Sequence, residues 1–409
     1  MALFPALFLI SCAFRSSPVA VLWTDRPEFA LYAEHFNASQ ETYKIETRYF
    51  ESPSQKLTEN GEVRPDIVAG SWLKSVSTRS LFRPLDDLFK KNRVARDSFY
   101  QRLLDLGNID GKQYLLPVAF NIPALVFARD RADQASNPFT LTLEEIKALG
   151  KSFNVENGGV YSRMGFSPAW DDDFLFVSAA LFGASFREDS PLEWDNEALE
   201  RALSYIESWI GESNTGIQAE DDFTFKYFYD PPSKLVVNGR IRFFYMSSSD
   251  LFTLPQERRA NLDFRWIAEE ETIPLSEDMV YFGIYRHTKA QKAAEAFTQW
   301  FFQEDTQRIF LEAARDKRLN ETRFGIANGF SALQTVTERV FPQFYPSLLG
   351  HIPPGNFLSP PNILPRNWMA MKERVILPYL HDRIRSGSRA DIRSLDRRLR
   401  DWNRLNRDL

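Results

Sequence analysis

From residue 19 onward, short apolar runs alternate with segments of helical period, and this alternation restricts the fold more than any other feature of the chain. Val19-Ala20-Val21-Leu22-Trp23 reads as a buried strand, and Asp25 with Pro27 marks the turn out of it. Phe29, Tyr32, Ala33 and Phe36 then recur at helical spacing. Further strands are expected at Tyr43–Phe50 and Asp66–Ala69. Strands separated by helices pair through crossovers rather than hairpins. The expected fold is therefore α/β, with a mostly parallel sheet covered by helices on both faces.

The pattern continues to the C-terminus. Asp110-Gly111 sits at the turn of a hairpin-like stretch, Ile109–Pro117, which runs into an apolar strand at Ile122–Ala128. Thr142 with Glu145 has the spacing of a capping box. Helices are expected over Ala169–Gly183 and Asn196–Trp209, and strands over Ile241–Met246 and Asp278–Tyr285. A long helix from Lys289 to Phe302 is expected to continue to Ala314, and Trp368–Ile384 and Arg389–Leu405 close the chain as helices. At 409 residues the chain exceeds one ordinary core, so two domains are expected. Arg383 through Arg407 is rich in arginine, but Asp391, Asp396, Asp401 and Asp408 interleave with it. Ile392, Leu395, Leu399, Trp402 and Leu405 form one helical stripe there, so the tail reads as an amphipathic helix docked on a lobe. With a net charge of −5 and no concentrated basic face, nucleic acid is not an expected partner.

The single cysteine, Cys12, rules out an internal disulfide. Met1 to Ser11 is almost wholly apolar, which reads as a secretory segment too short to span a bilayer. Leu9-Ile10-Ser11-Cys12 resembles a bacterial lipobox. That resemblance implies cleavage before Cys12 and lipidation of its thiol, and residues 1–18 become signal and tether. The membrane is then touched through the lipid alone, on the extracytoplasmic side.

Catalytic signatures are sparse. His35, His287, His351 and His381 lack metal-ligand spacing, and no phosphate loop, dinucleotide fingerprint or nucleophile elbow occurs. Ser71-Trp72-Leu73-Lys74 matches S-x-x-K without the companion motifs of that chemistry. A glycosidase needs only two carboxylates that converge in the fold, so it stays as an alternative. No enzyme activity, metal or cofactor is expected. Asp171-Asp172-Asp173 lacks the acid spacing of a calcium loop and suits a helix N-terminus.

The order of elements resembles the family 1 extracellular solute-binding proteins, of the maltose- and oligosaccharide-binding type. Val21-Leu22-Trp23-Thr24-Asp25 resembles their first strand and ligand-facing loop. Pro65-Asp66-Ile67-Val68 resembles their "PDI" strand, with Gly70-Ser71-Trp72 at its end. Gly111-Lys112-Gln113-Tyr114-Leu115-Leu116-Pro117 resembles the lead-in to their first crossover. Val237–Met246 and Phe297–Phe310 are similar to two later landmarks. Phe243-Phe244, Ser247 and Ala128 depart from the usual residues, which leaves the ligand class open.

The resemblance implies a two-lobed, periplasmic-binding-protein-like (type II) fold with hinge strands and a ligand cleft between the lobes. Crossings are expected near Ala124, Tyr285 and Phe330. Lobe I is then 19–124 plus 286–330, and lobe II is 125–285 plus 331–409. It also implies an ABC importer's monomeric substrate-binding lipoprotein, with a small polar solute, a sugar in the first place, and permease subunits as partners. A surface lipoprotein of the same fold, acting as a sensor or adhesin, is the alternative.

Ligands of open α/β sheets bind outside the C-terminal ends of strands. By that rule Trp23 and Asp25, Ser71 and Trp72, Phe120 and Asn121, and Tyr245 and Ser247 are candidates, as is Tyr281 near the second crossover. Trp170 and Asp171 join them, because a sugar needs aromatic faces for its C–H faces and carboxylates for its hydroxyls. Trp368 stands where sugar binders of the resembled family place a stacking aromatic.

Overall fold

The computed structural model describes residues 18–90, 93–134, 137–387 and 391–406. Cys12 and its lipobox lie outside the described residues. Ten strands carry the fold: β1 (Val19–Thr24), β2 (Lys44–Tyr49), β3 (Ile67–Gly70), β4 (Leu116–Phe120), β5 (Pro123–Ala128), β6 (Thr140–Leu141), β7 (Phe244–Ser247), β8 (Leu262–Ile267), β9 (Val280–Ile284) and β10 (Phe330–Ser331). The helices that pack on them are α1 (Glu28–Ser39), α2 (Leu143–Phe153), α3 (Asp172–Leu181), α4 (Asn196–Asn214), α5 (Ile217–Lys226), α6 (Gln291–Phe301), α7 (Glu304–Asp316), α8 (Leu377–Ser386) and α9 (Leu395–Leu405).

Two sheets form. The first has the order β10-β4-β9-β3-β1-β2, and the second β7-β5-β8-β6. In the first, β1 runs parallel to β2 and β3, while β9 is antiparallel to both β3 and β4. In the second, β5 is antiparallel to β7 and β8, and only β8 with β6 is parallel. The mostly parallel sheet expected from the alternation therefore holds for one side of the first sheet. Strands that return from the other lobe enter antiparallel, since no crossover helix constrains their direction.

The apolar run of β5 is buried throughout because the second sheet is covered on both faces. Ala124, Val126 and Ala128 face a core shared with the first sheet, while Leu125 and Phe127 face a second core beneath α2, α3, α4 and α8. Helix α1 buries Phe29, Tyr32 and Phe36, and Tyr32 stacks on Phe310 of α7 at 4.1 Å. The capping box forms: Thr142 Oγ1 accepts from the Glu145 N–H, and Glu145 accepts from the Thr142 N–H at 2.9 Å. At the expected hairpin turn, Asp110 and Gly111 both adopt positive φ, as a tight two-residue turn requires. Helix α9 buries Leu395, Leu399 and Trp402 in the second core, each contributing roughly 1.5–3 kcal/mol. Its arginines pair outside, Arg398 with Asp382 at 2.6 Å and Arg393 with Asp401 at 3.3 Å.

The chain passes between the sheets at different points from those expected. The first passage is Asn121-Ile122, between β4 and β5 and close to the expected Ala124. The second lies between Ile267 and Val280, not near Tyr285, because β9 pairs with β3 and β4 and so belongs to the first sheet. Phe330 pairs with Phe120 in the first sheet, and by His351 the chain lies against the second, where the His351 carbonyl accepts from Trp266 Nε1 of β8 at 2.6 Å. Phe341 and Tyr345 stay packed on Phe324 and Phe330, and only from Leu364 does the chain join the second core. The strand at Val280–Ile284 therefore lies with the first sheet rather than with the second lobe. An apolar strand carries no mark of which sheet will accept it.

Lys74, just beyond β3, is buried with its Nζ 4.6 Å from the centre of the Tyr281 ring and no hydrogen-bond partner among the described residues. Burial pushes its amine down to about 7. The unfolded chain keeps the ordinary value near 10.5, so between pH 7 and 10.5 it binds the extra proton. Stability should therefore rise with pH across that window, and the penalty should be constant below it. Lys74→Met should raise stability at pH 7 by on the order of a few kcal/mol, seen as a higher Tm, and remove that part of the slope. Thermal unfolding of both proteins at pH 6 to 10 checks this, and an unchanged slope would contradict it.

Candidate functional site

The loops that leave the C-terminal ends of β1, β3 and β4 converge where the chain passes between lobes, the position at which open α/β sheets bind ligands. Asp25 and Arg26 follow β1. The Asp25 carboxylate accepts from the Ser71 N–H at 3.1 Å, and burial pushes this carboxyl up against the pull of Arg26. Gly70 allows that approach, because a Cβ there would come within 2.8 Å of Pro53 and 3.0 Å of Asp25. Arg26 donates to Ser71 Oγ at 3.0 Å and to the Asp278 carboxylate at 3.1 Å. Ser71 Oγ in turn donates to the Asp278 carbonyl at 2.8 Å. First-lobe loops are thereby tied to the second passage.

Asn121 ties the first passage to three distant segments. Its Nδ2 donates to the Asn328 carbonyl at 2.9 Å, its Oδ1 accepts from Ser248 Oγ at 2.7 Å, and its carbonyl accepts from the Ser276 N–H at 2.9 Å.

Against this junction opens a cavity of about 220 Å³. Four carboxylates line it: Asp173 at the start of α3, Asp250 just past β7, and Glu277 and Asp278 in the second passage. Asn121, Ser247 and Ser249 add neutral polar groups, and Phe176 and Tyr245 add rings. One cation organises the acids. Lys372 Nζ lies 2.8 Å from Asp173, 2.9 Å from Glu277 and 4.3 Å from the centre of the Phe176 ring. Burial works against its charge, but Glu277 and Asp173 outweigh that and hold the ammonium above its ordinary range. A second chamber, also about 220 Å³, shares Phe176, Leu275 and Glu277 and extends toward Pro360 and Asn362. The arrangement accepts hydrogen bonds from hydroxyls or amines and offers ring faces beside them.

The lobes touch across the mouth of the cleft. The Val76 N–H donates to Glu188 at 2.7 Å, Arg366 donates to Thr58, and Trp72 reaches from the first lobe onto the second core.

The sequence profile described as bacterial extracellular solute-binding protein matches residues 32–316. The chain belongs to this family of extracellular solute-binding proteins. No curated sequence matches it. Among solved structures, the ABC substrate-binding protein of Listeria monocytogenes in complex with cycloalternan is 14% identical, with 95% of this chain and 99% of that chain covered and a TM-score of 0.61. The sugar-binding protein of Xanthomonas citri is 12% identical, with coverage of 95% and 96% and a TM-score of 0.65. The cyclic α-maltosyl-1,6-maltose binding protein of Arthrobacter globiformis is 18% identical, with coverage of 94% and 96% and a TM-score of 0.62. At these identities the likeness establishes the two-lobed α/β fold.

Within this solute-binding protein the expected site residues divide. Asn121, Tyr245 and Ser247 line the polar cavity. Asp25 and Ser71 sit behind it, holding Arg26 and Asp278. Trp72 adopts a left-handed φ of 64° and packs between the lobes. Asp171 caps α3 by accepting from the Asp173 and Phe174 N–H groups, and burial pushes its carboxyl up to about 6. It lines a separate cavity with Trp170.

Four expected residues are core instead. Trp23 is buried against Phe50 at 4.8 Å, because its side chain falls on the inner face of β1. Phe120 is covered by Tyr100 and Phe330. Tyr281 is enclosed in the first sheet, with its hydroxyl donating to the Leu103 carbonyl at 3.0 Å. Trp368 borders the second chamber but is fully buried, wedged between Phe176 and Phe186, so it offers no open stacking face.

Arg26, Phe176, Glu277, Asp278 and Lys372 were not singled out from sequence. Arg26 adjoins Asp25 and could have been. Glu277-Asp278 precede a strand rather than follow one, and Lys372 sits inside a helical stretch, so position gave no signal. Removing the two polar contacts across the mouth with Glu188→Ala and Arg366→Ala should weaken the closed form by about 1–2 kcal/mol, roughly tenfold in population. Small-angle scattering of the unliganded variant should then give a larger radius of gyration than wild type; an identical radius would contradict this.

Proposed function

We propose that this solute-binding protein captures an oligosaccharide in the carboxylate-lined cavity and presents it to an ABC permease. The observation that carries the reading is the cavity itself. Four carboxylates, an amide and three serines converge beside two aromatic rings at the junction of the lobes. Sugar hydroxyls donate well to carboxylates, and the rings meet C–H faces. Related structures are described with cycloalternan, mannotriose and maltotriose bound, which supports the same ligand class.

Both lobes contribute to closure. Arg26 and Ser71 come from the first lobe and hold Asp278, while Asp173, Tyr245 and Lys372 stand in the second. A ligand that bridges these groups has its full affinity only for the closed form, so it draws the population toward closure. In this reading the site binds its ligand without transforming it. The Ser71 hydroxyl is committed to the Asp278 carbonyl, and the Lys74 amine touches no hydroxyl that it could activate.

A thermal-shift screen of sugars, amino acids and polyamines should show stabilisation by saccharides, about 2.7 kcal/mol at a hundredfold excess over Kd. Asp173→Asn and Glu277→Gln keep the shape but weaken charge-assisted hydrogen bonds. Each should cost tenfold or more in saccharide affinity by calorimetry, about 1.5–3 kcal/mol. A screen that finds only amino acids or polyamines would replace the sugar reading.

Delivery to a permease is served by an anchor, and Cys12 in Leu9-Ile10-Ser11-Cys12 is the proposed point of lipidation. Cys12→Ala should move the protein from the membrane fraction to the soluble one. Retention in the membrane fraction would remove the anchor from this account.

A further inference from the structure

The first lobe carries a charged surface that the ligand cleft does not use. At the end of the first sheet where β9 finishes, Arg79, Arg83 and Arg286 border an open hollow of about 720 Å³, with Ser80, Tyr114 and Gln291 as neutral polar groups. Among the described residues no carboxylate lines it. Backbone bonds hold two of the arginines in place: the Arg83 N–H donates to the Ile284 carbonyl at 3.0 Å, and the Arg286 N–H to the Leu81 carbonyl at 2.9 Å. The Arg286 guanidinium also donates to the Ser80 carbonyl at 3.1 Å.

The positive surface continues along the chain. Lys289 and Lys292 are exposed where α6 starts, and the first turn of that helix holds no acid. The helix macrodipole disfavours cations there, so these lysines do not serve the helix. Acids of this region are engaged elsewhere. Asp87, near Arg83, pairs with Lys90 at 3.0 Å, and Glu188, near Arg79, accepts from the Val76 N–H.

The described chain begins at this same end of the sheet, and Asp66 joins the two. One oxygen of its carboxylate accepts from the Val21 N–H of β1 at 2.9 Å. The other accepts from the Thr288 hydroxyl at 2.6 Å and from the Lys289 N–H at 3.1 Å. The Pro18 carbonyl accepts from the N–H of Lys44, whose side chain is exposed as well. Pro18 is six residues along from Cys12, at most about 20 Å of extended chain. A lipid on Cys12 therefore keeps this end of the first lobe within that reach of the bilayer.

We propose that the basic end of the first lobe lies on the anionic headgroups of the membrane that holds the anchor. Guanidinium groups donate in pairs to phosphate oxygens, and the hollow admits a headgroup between Arg83 and Arg286. The lysines around it add an attraction that fades within a Debye length. The strands β1 and β3 then start near the bilayer, and their C-terminal ends, which lead into the cleft, point away from it. A lipid alone would leave the receptor free to turn; this contact orients it. The proposal rests on the anchor reading above.

Vesicle sedimentation tests it with the full chain carrying Cys12→Ala, so that no lipid on the protein contributes. Phosphatidylcholine vesicles are compared with vesicles in which about a third of the lipid is phosphatidylglycerol. The net charge of −5 gives the protein as a whole no attraction to the anionic vesicles, so a preference for them reads this face. Binding to them should be about fivefold stronger or more, and high salt should remove the difference. Arg83→Glu with Arg286→Glu should abolish the preference. So should Lys289→Glu with Lys292→Glu, a pair whose exposed side chains can change without disturbing the fold. Arg400→Glu with Arg404→Glu makes the same change of charge on exposed side chains of α9 and should keep it. No preference for anionic vesicles, or one that the α9 pair loses equally, would overturn the proposal. Stabilisation by inorganic phosphate that the arginine pair removes, without any vesicle preference, would assign the hollow to a free anion instead. The anchor reading is judged separately by where Cys12→Ala fractionates in cells, because the vesicle result does not depend on lipidation.

Discussion

The structure depends on how three distant segments are held to the first passage at Asn121. This residue uses its side-chain amide nitrogen and oxygen and its backbone carbonyl on three different segments: Asn328 beyond α7, Ser248 just past β7, and Ser276 between β8 and β9. A residue that both donates and accepts is needed there, which an apolar side chain or a carboxylate could not supply. Ser248 also accepts from the Ile122 N–H at 3.2 Å, so the junction has few free polar groups. Around it lies an aromatic core common to both lobes, in which Phe252 stacks on Phe324 at 4.6 Å and Trp266 approaches Phe330 at 5.9 Å. The lobes therefore share a packed root, whereas at the far mouth only single polar contacts and Trp72 join them.

The binding chemistry grows from that root. Carboxylates gathered at one spot repel each other, and Lys372 makes the gathering tolerable by pairing with Asp173 and Glu277 at once. Arg26 does the same for Asp278 from the other lobe. Acids held by cations but still lining a cavity keep lone pairs for a ligand's hydroxyls. Hinge, charge balance and recognition are in this way one arrangement seen at different distances.

Local features of the chain were legible because they depend on neighbours in sequence. The apolar run of β5, the Thr142–Glu145 capping box and the Asp110-Gly111 turn all follow from spacing, and so do Leu395, Leu399 and Trp402 of the α9 stripe, whereas Leu405 at its end is exposed. Candidate ligand residues were legible only where they directly follow a strand, as Asn121 and Ser247 do. Trp23, Tyr281 and Trp368 misled for one reason. An aromatic ring serves core and cleft equally well, and its sequence position does not tell which side of a strand or helix is covered.

The sequence by itself determined the alternation of strands and helices, the resemblance to extracellular solute-binding proteins, and the expectation of a cleft between two lobes. Only the tertiary structure decided where the chain passes between lobes, which acids meet Lys372, and that Arg79, Arg83 and Arg286 border one hollow. The reason is distance along the chain. Helical and strand periodicity act over a few residues, whereas Arg26 meets Asp278 and Asp173 meets Lys372 across separations of about 200 residues or more, which only the completed packing of both sheets brings together.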